Sequence, residues 1–496
     1  MKILNKGIGL FASVSCFAMM ISCGDGSSGG NKENYNTTPV MEIEIAPSSG
    51  VMLQGFNWSS NSDSRGNTST SWYAVVKNNA SEIKNTFEYV WFPPASDSGS
   101  SNGYMPRQLD ILDTKYGSAT ELGQAISNIS PAKAICDIVI NHRVGTSNWG
   151  TFTNPSFCED YYAICSNDEG FSAAGSDMYG STKKGNPDTG DGYTSARDLD
   201  HTNWEVQDGI VTWMTDKLKA LGFVGWRYDY VKGFNGRYVG YYNAKTNAVF
   251  SVGEHWPTAG FDYQNPQVWA SQFENWVNAT KSESNKIENR EYTPNGSRVF
   301  DFVTKGMLNQ VFGCKGSGIG NGNYNLLANE YCGYKRMPSA AVTFVDNHDT
   351  GSTQALWYLD PNDVGTAYAF ILTHPGYPCV AWQHYFTAEE SCDTTVSANA
   401  SQYIGGNTVP GTSQTYHDFI KSLIDLRKEV GITEESSIVV WNETGTSMYL
   451  AQVTGTNGSL IVNIGAAYNI SANPYASSYE LAASGTNFNI WKSISE

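Results

Sequence analysis

Basic residues are scarce in this sequence. Lysine and arginine number 31 against 48 aspartates and glutamates in 496 residues, giving a formal charge of −17 and a pI near 4.8. A surface of that sign repels nucleic-acid phosphates and anionic membranes, so neither is expected as a partner. Charge of either sign is thin, at 16% of residues, while hydrophobic residues make up 40%. Such a chain folds and is not disordered. Long apolar runs are missing too: Ile8 to Ile21 is apolar but too short to cross a bilayer, and no other stretch is long and apolar enough. Cysteines never form a CxxC pair or a cluster with histidines, which leaves no zinc site. What the chain has in quantity is aromatic side chains, 14 Trp, 29 Tyr and 21 Phe. Their flat faces suit a neutral, sugar-like ligand.

The first 23 residues read as a targeting segment. Lys2 and Lys6 precede the apolar stretch, and Met20-Ile21-Ser22-Cys23 closes it in a pattern that resembles a bacterial lipobox, where cleavage leaves the cysteine to be lipidated. Residues 24–50, rich in Gly, Ser and Asn, read as a flexible tether. The mature protein is thus expected outside the cytoplasm, on a bacterial membrane or cell surface, touching the membrane only through lipid on Cys23. Export favours disulfides. Cys136 lies in a predicted buried strand and reads as a free core thiol. The remaining six allow many pairings in principle, and their order as close neighbours suggests Cys158–Cys165, Cys314–Cys332 and Cys379–Cys392.

The stretch Gly222 to Lys232 organises the rest. It begins as a short buried strand and ends in Arg227, Asp229 and Lys232, with Arg227 and Asp229 on one side at a period of two. Charges leaving a buried strand are costly unless paired or used. Three further apolar runs end alike: Ala134–Ile140 in Asn141-His142, Ala248–Gly253 in Glu254-His255, and Ala341–Val345 in Asp346-Asn347-His348-Asp349. Strands that deliver carboxylates, imidazoles and an arginine from their C-terminal ends are what the active face of an α/β protein of the (β/α)8 TIM-barrel class requires.

Taken in order, Val51–Phe56, Tyr89–Phe92 and Ala134–Ile140 are strands one to three. Residues 143–200, rich in Gly, Asn, Asp and Ser, are too long for a plain loop and read as a small inserted domain. A helix over Trp204–Leu221, capped at Thr202/Asn203, leads into the organising strand. Ala248–Val252, Val299–Phe302, Ala341–Val345 and Tyr377–Trp382 complete eight strands, the last made irregular by Pro378. The barrel thus comprises residues 51–142 and 201–431 and ends with a helix over Tyr416–Val430. Residues 432–496 alternate in short strands, Ser437–Trp441, Ser447–Val453 and Ser459–Ile464, a C-terminal antiparallel β domain.

A barrel mouth holding Asp229, Glu254 and Asp349 beside Arg227, His142 and His348 suits acid/base work without a cofactor. Glycoside hydrolysis needs two carboxyls flanking a sugar, about 5–5.5 Å apart if configuration is retained. One stays ionised, which a neighbouring Arg227 favours, and the other stays protonated, which burial favours. The rival reading makes the same residues ligands of a catalytic divalent metal, but no tight His-x-His cluster supports it.

Asp137-Ile-Val-Ile-Asn-His142, Gly225-Trp-Arg-Tyr-Asp229, Gly253-Glu254-His255-Trp256 and Phe344-Val-Asp-Asn-His-Asp349 resemble, in order, the four signature regions of the α-amylase family. Gln54-Gly-Phe-Asn-Trp58, Trp91-Phe-Pro-Pro94 and Gly103-Tyr-Met-Pro106 are similar to its plant-type members, and the resemblance runs from Val51 to the end. It implies Asp229 as nucleophile, Glu254 as general acid/base and Asp349 as transition-state stabiliser. It implies that Arg227 keeps Asp229 ionised, His142 and His348 bind the sugar at the cleavage point, Tyr104 stacks beneath it, and Lys232 and His255 line the leaving-group side. It also implies structural calcium, a hard ion wanting oxygen ligands, held by Asn141, Asp198 (with Asp200 as the alternative) and the Gly233 carbonyl. Chloride activation is not expected, because no Lys or Arg lies between Arg336 and Lys421.

The expected protein is therefore an endo-acting α-amylase that cleaves α-1,4-glucosidic bonds of starch- or glycogen-like glucans with retention, working as a monomer. A malto-oligosaccharide-forming or transglycosylating relative is the enzyme alternative. A non-catalytic surface glucan-binding protein is the other class, opposed by the intact Asp229, Glu254 and Asp349. Lipid attachment has its own test. Cys23→Ala is expected to move the protein from the membrane to the soluble fraction, since acyl chains alone would hold it; sedimentation with membranes after a high-salt wash would refute the lipoprotein reading.

Overall fold

The computed structural model describes residues 47–65, 68–314, 318–393, 402–441 and 445–494. The segment expected to direct export, with Cys23, and nearly all of the expected tether lie outside the described residues. Eight strands form a closed barrel: β1 (Met52–Gln54), β2 (Tyr89–Phe92), β3 (Lys133–Ile138), β4 (Gly225–Tyr228), β5 (Phe250–Gly253), β6 (Arg298–Phe300), β7 (Ala341–Phe344) and β8 (Tyr377–Ala381). Each pairs in parallel with its neighbours in sequence, and β8 closes on β1 with Leu53 opposite Val380. Apart from Lys133 every strand residue is buried. Parallel strands covered on both faces must be apolar nearly throughout, and these are. Gly225 is needed for close approach, since a Cβ there would lie 2.3 Å from the Phe250 carbonyl oxygen on β5.

Several boundaries differ from expectation for local reasons. The sixth strand stops at Phe300 because Asp301 turns to cap the helix Phe302–Phe312, accepting from the Thr304 N–H at 2.9 Å. Pro378 does not disrupt β8; it sits in register opposite Thr343 of β7. The helix before β4 begins at Trp204 with Asn203 as its cap, but is α-helical only to Trp213 and continues as a π-helix over Met214–Lys219. The helix Tyr416–Val430 forms as expected and ends on Gly431 in the left-handed conformation.

Between β3 and β4 the insertion is mostly irregular. A two-residue ladder, His142–Arg143 against Arg197–Asp198, joins its two ends. Two buried arginines organise it. The Arg143 guanidinium lies 4.9 Å from the Phe152 and Phe157 rings and donates to the carbonyls of Arg107, Thr153 and Pro155. Arg197 pairs with Asp168 at 2.5 Å and Glu169 at 3.1 Å. No disulfide does this work. None of the bridges Cys158–Cys165, Cys314–Cys332 and Cys379–Cys392 is formed. Cys379 is fixed inside the wall of β8, and Cys158 lies against the Asn203 side chain, so neighbours in sequence face different surroundings. Cys136 is a buried thiol on β3, as expected.

The C-terminal sheet has five antiparallel strands: β9 (Ser437–Val440), β10 (Met448–Thr454), β11 (Ser459–Gly465), β12 (Tyr479–Gly485) and β13 (Phe488–Ser493), in the order β9-β10-β11-β13-β12. It meets the barrel through buried polar contacts. His374 bonds the Tyr449 hydroxyl at 2.8 Å, and Arg298 at the start of β6 pairs with Glu434 at 3.1 Å. Among the described residues no helix is long and apolar enough to cross a membrane.

Candidate active site

Residues of β2, β3 and β4 and the acids that follow β4, β5 and β7 converge on one guanidinium. Arg227, fully buried on β4, gives Nη1 to Asp137 Oδ1 on β3 at 2.9 Å and to Asp229 Oδ1 at 2.7 Å; its Nη2 lies 2.9 Å from Glu254 Oε1 beyond β5. Trp91 of β2 lies beneath it, 4.8 Å from ring centroid to Cζ. The Arg227 and Asp137 side chains are wholly hidden, whereas Asp229, Glu254 and Asp349 keep 11%, 9% and 17% exposure. The accessible acids are thus the three singled out from the sequence. Tyr230 follows Asp229 in the left-handed region at φ 46°, which turns its N–H toward Glu254 Oε2 at 3.3 Å. For a bulky residue that conformation is strained, and strain of this kind collects at functional sites.

Burial dominates the electrostatics. It raises the carboxyl pKa values of Asp229, Glu254 and Asp349 above their ordinary range, with Arg227 opposing the shift at each. Glu254 and Asp349 are hydrogen-bonded to each other, and charge on Glu254 pushes Asp349 higher still. Two close carboxyls that resist simultaneous ionisation titrate as a pair and hold a proton between them. The Arg227 pKa also rises: burial opposes this, but the surrounding carboxylates hold it well above its usual value.

Aromatic rings line one side. Tyr104 stacks on His348 at 5.3 Å and on Trp58 at 5.8 Å, and its hydroxyl donates to Asp137 Oδ2 at 2.8 Å. His348 lies 3.3 Å from Asp349 Oδ2. His142 bonds the Tyr104 carbonyl at 2.9 Å and stacks on Tyr193 at 3.9 Å; burial lowers its pKa to about 4, so it is neutral. Lys232 and His255 stand outside this network. Lys232 bonds Thr258 at 2.8 Å and lies over the Tyr230 ring, and His255 packs edge-on to Phe273.

Several participants were not singled out. Asp137 interrupts an apolar strand, and a charge there demands buried partners, which was the available signal. Gln54 of β1 reaches His348 Nδ1 at 2.8 Å, and Lys305, buried in the helix after β6, pairs with Asp346 at 2.7 Å beneath the β7 end. Neither announces itself by spacing.

Asn141, Asp198 and Gly233 do come together. Asn141 Nδ2 is 3.4 Å from Asp198 Oδ1, and Asn141 Oδ1 abuts Gly233 so closely that a Cβ there would lie 1.9 Å away. Asp188 joins them: burial raises its pKa to about 7 and that of Asp198 to about 8, each pushed further by neighbouring carboxylates. Asp188 Oδ2 is buried without a hydrogen-bond partner. Hard oxygen donors with excess negative charge and an orphaned carboxylate atom fit calcium. Asp168 and Glu169 also lie near Asp198, but the Arg197 guanidinium already occupies their shared side. Asp200, the alternative ligand, is committed to the Asn186 and Thr202 N–H groups.

Comparison with known proteins agrees with this geometry. Residues 429–492 match the alpha-amylase C-terminal beta-sheet domain. Over 460 residues the chain is 30% identical to "Probable alpha-amylase 2" of Arabidopsis thaliana, spanning 89% of this chain and 93% of that protein. It is 25% identical over 484 residues to the glucan 1,4-alpha-maltotetraohydrolase of Stutzerimonas stutzeri, spanning 89% and 73%. The fold is shared with the α-amylase of Geobacillus thermoleovorans solved with acarbose, at a TM-score of 0.59 and 14% identity, covering 90% of this chain and 99% of that one. On the identity it keeps with the Arabidopsis protein over nearly the whole of both chains, this chain belongs to the α-amylase family.

Proposed function

We propose that this protein is an endo-acting α-amylase that hydrolyses α-1,4-glucosidic bonds of starch- or glycogen-like glucans with retention, as a monomer held outside the cytoplasm by lipid on Cys23. The grip of Arg227 on Asp229 and Glu254, with Asp349 beside them, carries this reading. Two carboxyls held by the two ends of one guanidinium are close-set, and a retaining mechanism needs them about 5–5.5 Å apart. Asp229 Oδ2, the oxygen not bonded to Arg227, attacks the anomeric carbon while Glu254 protonates the departing glycosidic oxygen. A water then gives its proton back to Glu254 and cleaves the glycosyl–Asp229 ester. Asp349 accepts hydrogen bonds from sugar hydroxyls, His348 presents its N–H at the cleavage point, and His142, whose N–H is held by the Tyr104 carbonyl, lies against the sugar and fixes that tyrosine.

The raised pKa of the Glu254–Asp349 pair supports the acid role, since a proton must be present at neutral pH before the sugar arrives. The 25% identity to a maltotetraohydrolase favours a second reading, an enzyme releasing oligosaccharides of set length. A product profile on amylose with the anomer followed by NMR separates the two, and appearance of the β-anomer first would overturn retention.

Calcium would be held by Asn141, Asp198, Asp188 and the Gly233 carbonyl, and supplies no chemistry to the bond cleaved; it fastens the insertion to the barrel. Chelation is expected to lower the melting temperature, because an ion bound only by the folded form contributes about 3–4 kcal/mol at a hundred- to thousandfold excess over its Kd. Asn141→Ala and Asp198→Ala should mimic chelation. A melting curve unchanged after verified loss of calcium would remove the site.

Glu254→Gln is expected to lower kcat by roughly 10²–10⁴-fold, the usual worth of a general acid/base, with the circular dichroism spectrum intact; a loss smaller than about tenfold would refute the assignment. Arg227→Gln tests the electrostatics. Removing a cation that favours the ionised form raises the Asp229 pKa. The base is then protonated up to a higher pH, so the acid limb of kcat/KM moves upward. Arg227→Lys should move it less, because lysine keeps the charge but loses the planar fork. A slow Arg227→Gln enzyme with an unshifted limb would show that the arginine only positions its neighbours.

A further inference from the structure

Among the rings at the barrel mouth, His348 is held most tightly. It lies 5.2 Å from Phe56, 5.3 Å from Trp91 and 6.0 Å from Trp58 between ring centroids, in addition to Tyr104, and is buried. Both ring nitrogens have partners: Nδ1 faces Gln54 Nε2 at 2.8 Å, and Nε2 faces the Tyr104 hydroxyl at 2.7 Å and Asp349 Oδ2 at 3.3 Å. Burial beside Arg227 keeps the imidazole neutral. It therefore carries one proton, and two arrangements of the network compete.

In the first, the proton is on Nε2. It points at the Tyr104 oxygen and Asp349, the Tyr104 hydroxyl donates to Asp137 Oδ2, and Nδ1 accepts from the Gln54 amide. In the second, the proton is on Nδ1. Tyr104 must then turn its hydroxyl to Nε2, which leaves Asp137 Oδ2 with only the Trp91 indole N–H at 3.1 Å. A charge-assisted hydrogen bond from Tyr104 to a buried carboxylate outweighs one to a neutral nitrogen. Asp137, paired with Arg227, thus selects the Nε2–H form through Tyr104. The Gln54 amide does not choose by its own bonding, because either orientation leaves one of its buried atoms unpartnered; in the structure that atom is Oε1.

We propose that Gln54 is a positioning residue that holds the His348 ring in the tautomer Asp137 selects through Tyr104, donating to Nδ1 so that the ring presents an N–H and not a lone pair to Tyr104 and Asp349. The polarity runs in one direction from the end of β1: Gln54 N–H to His348, His348 N–H to Tyr104, Tyr104 O–H to Asp137, with Arg227 at the far end. Glutamine is the fitting residue, since glutamate is acceptor-only when ionised and would draw a proton onto Nδ1. This inference rests on the α-amylase reading for its kinetic consequence, though not for its geometry.

The tautomer is measured directly by ¹⁵N NMR of histidine-labelled full-length protein, with the His348 signals assigned by their loss in His348→Asn. Wild type is expected to show a protonated Nε2 and an unprotonated, pyridine-like Nδ1. Gln54→Glu should place a proton on Nδ1, and Gln54→Met should keep the Nε2–H form, since Asp137 still selects it, while leaving Nδ1 without its donor. Both should lower kcat on soluble starch roughly 10–100-fold, as removal of the partner orienting a metal-bound histidine does. A protonated Nδ1 in wild type, or a Gln54→Glu protein that keeps the wild-type nitrogen signals, would overturn the proposal. A wild-type protein with the expected nitrogen signals but no action on starch would instead overturn the enzymatic reading and leave the tautomer assignment standing.

Discussion

Everything at the barrel mouth depends on the charge of one buried guanidinium and on how it is shared. Asp137 never meets solvent and is Arg227's permanent counter-ion, and together they are close to neutral. Asp229, Glu254 and Asp349 are then left with less compensation than a free arginine would give. A lone arginine beside two carboxylates would hold both ionised and leave no acid. With Asp137 absorbing part of its charge, the remaining carboxyls stay high enough in pKa to keep a proton among them. Asp229 keeps the shorter contact, 2.7 Å against 2.9 Å for Glu254. One cation thus faces carboxyls that are not all ionised together.

That division is possible because parallel strands leave the barrel at one end in fixed register. Asp137 on β3 is opposite Arg227 on β4, and Tyr228 is opposite Gly253, which places Glu254 one residue beyond. The support beneath is also polar and buried. Lys305 holds Asp346, which in turn accepts from the Thr350 hydroxyl and the Leu359 N–H. Asp349 rides on that turn, its N–H donating to Asn347. Buried hydrogen bonds of this kind stiffen the turn that carries Asp349, and stiffness is what places a carboxylate for a transition state.

The strand order and the three accessible acids were legible because they obey simple periodicities: buried strands read as apolar runs, and a polar cluster at the end of each is conspicuous. Asp137 was legible only as an oddity within an apolar strand. Gln54 and Lys305 were not, because a buried polar residue takes its meaning from a partner hundreds or tens of residues away. The disulfides show the opposite failure. Proximity in sequence suggested bridges, but Cys379 belongs to a barrel strand and the insertion is organised by Arg143 and Arg197. A buried arginine that satisfies several carbonyls fixes a loop as a cross-link would, and a linear pattern does not reveal it. The π-helix over Met214–Lys219 also lacked a signal, since its side-chain spacing differs little from that of the α-helix it extends.

The insertion is not a bystander to the chemistry. His142 pairs with Asp198 across the short ladder that closes the insertion, and its ring is sandwiched against Tyr193 from the same segment. The other face of the contact is Tyr104, whose backbone carbonyl His142 holds and whose side chain stacks on His348. Asn141, next in the chain, belongs to the acidic cluster with Asp188 and Asp198. Uncompensated repulsion in that cluster therefore bears on the residue adjacent to His142. An ion that neutralises the cluster would act on affinity and geometry at the cleavage point without touching the substrate, through one residue of backbone.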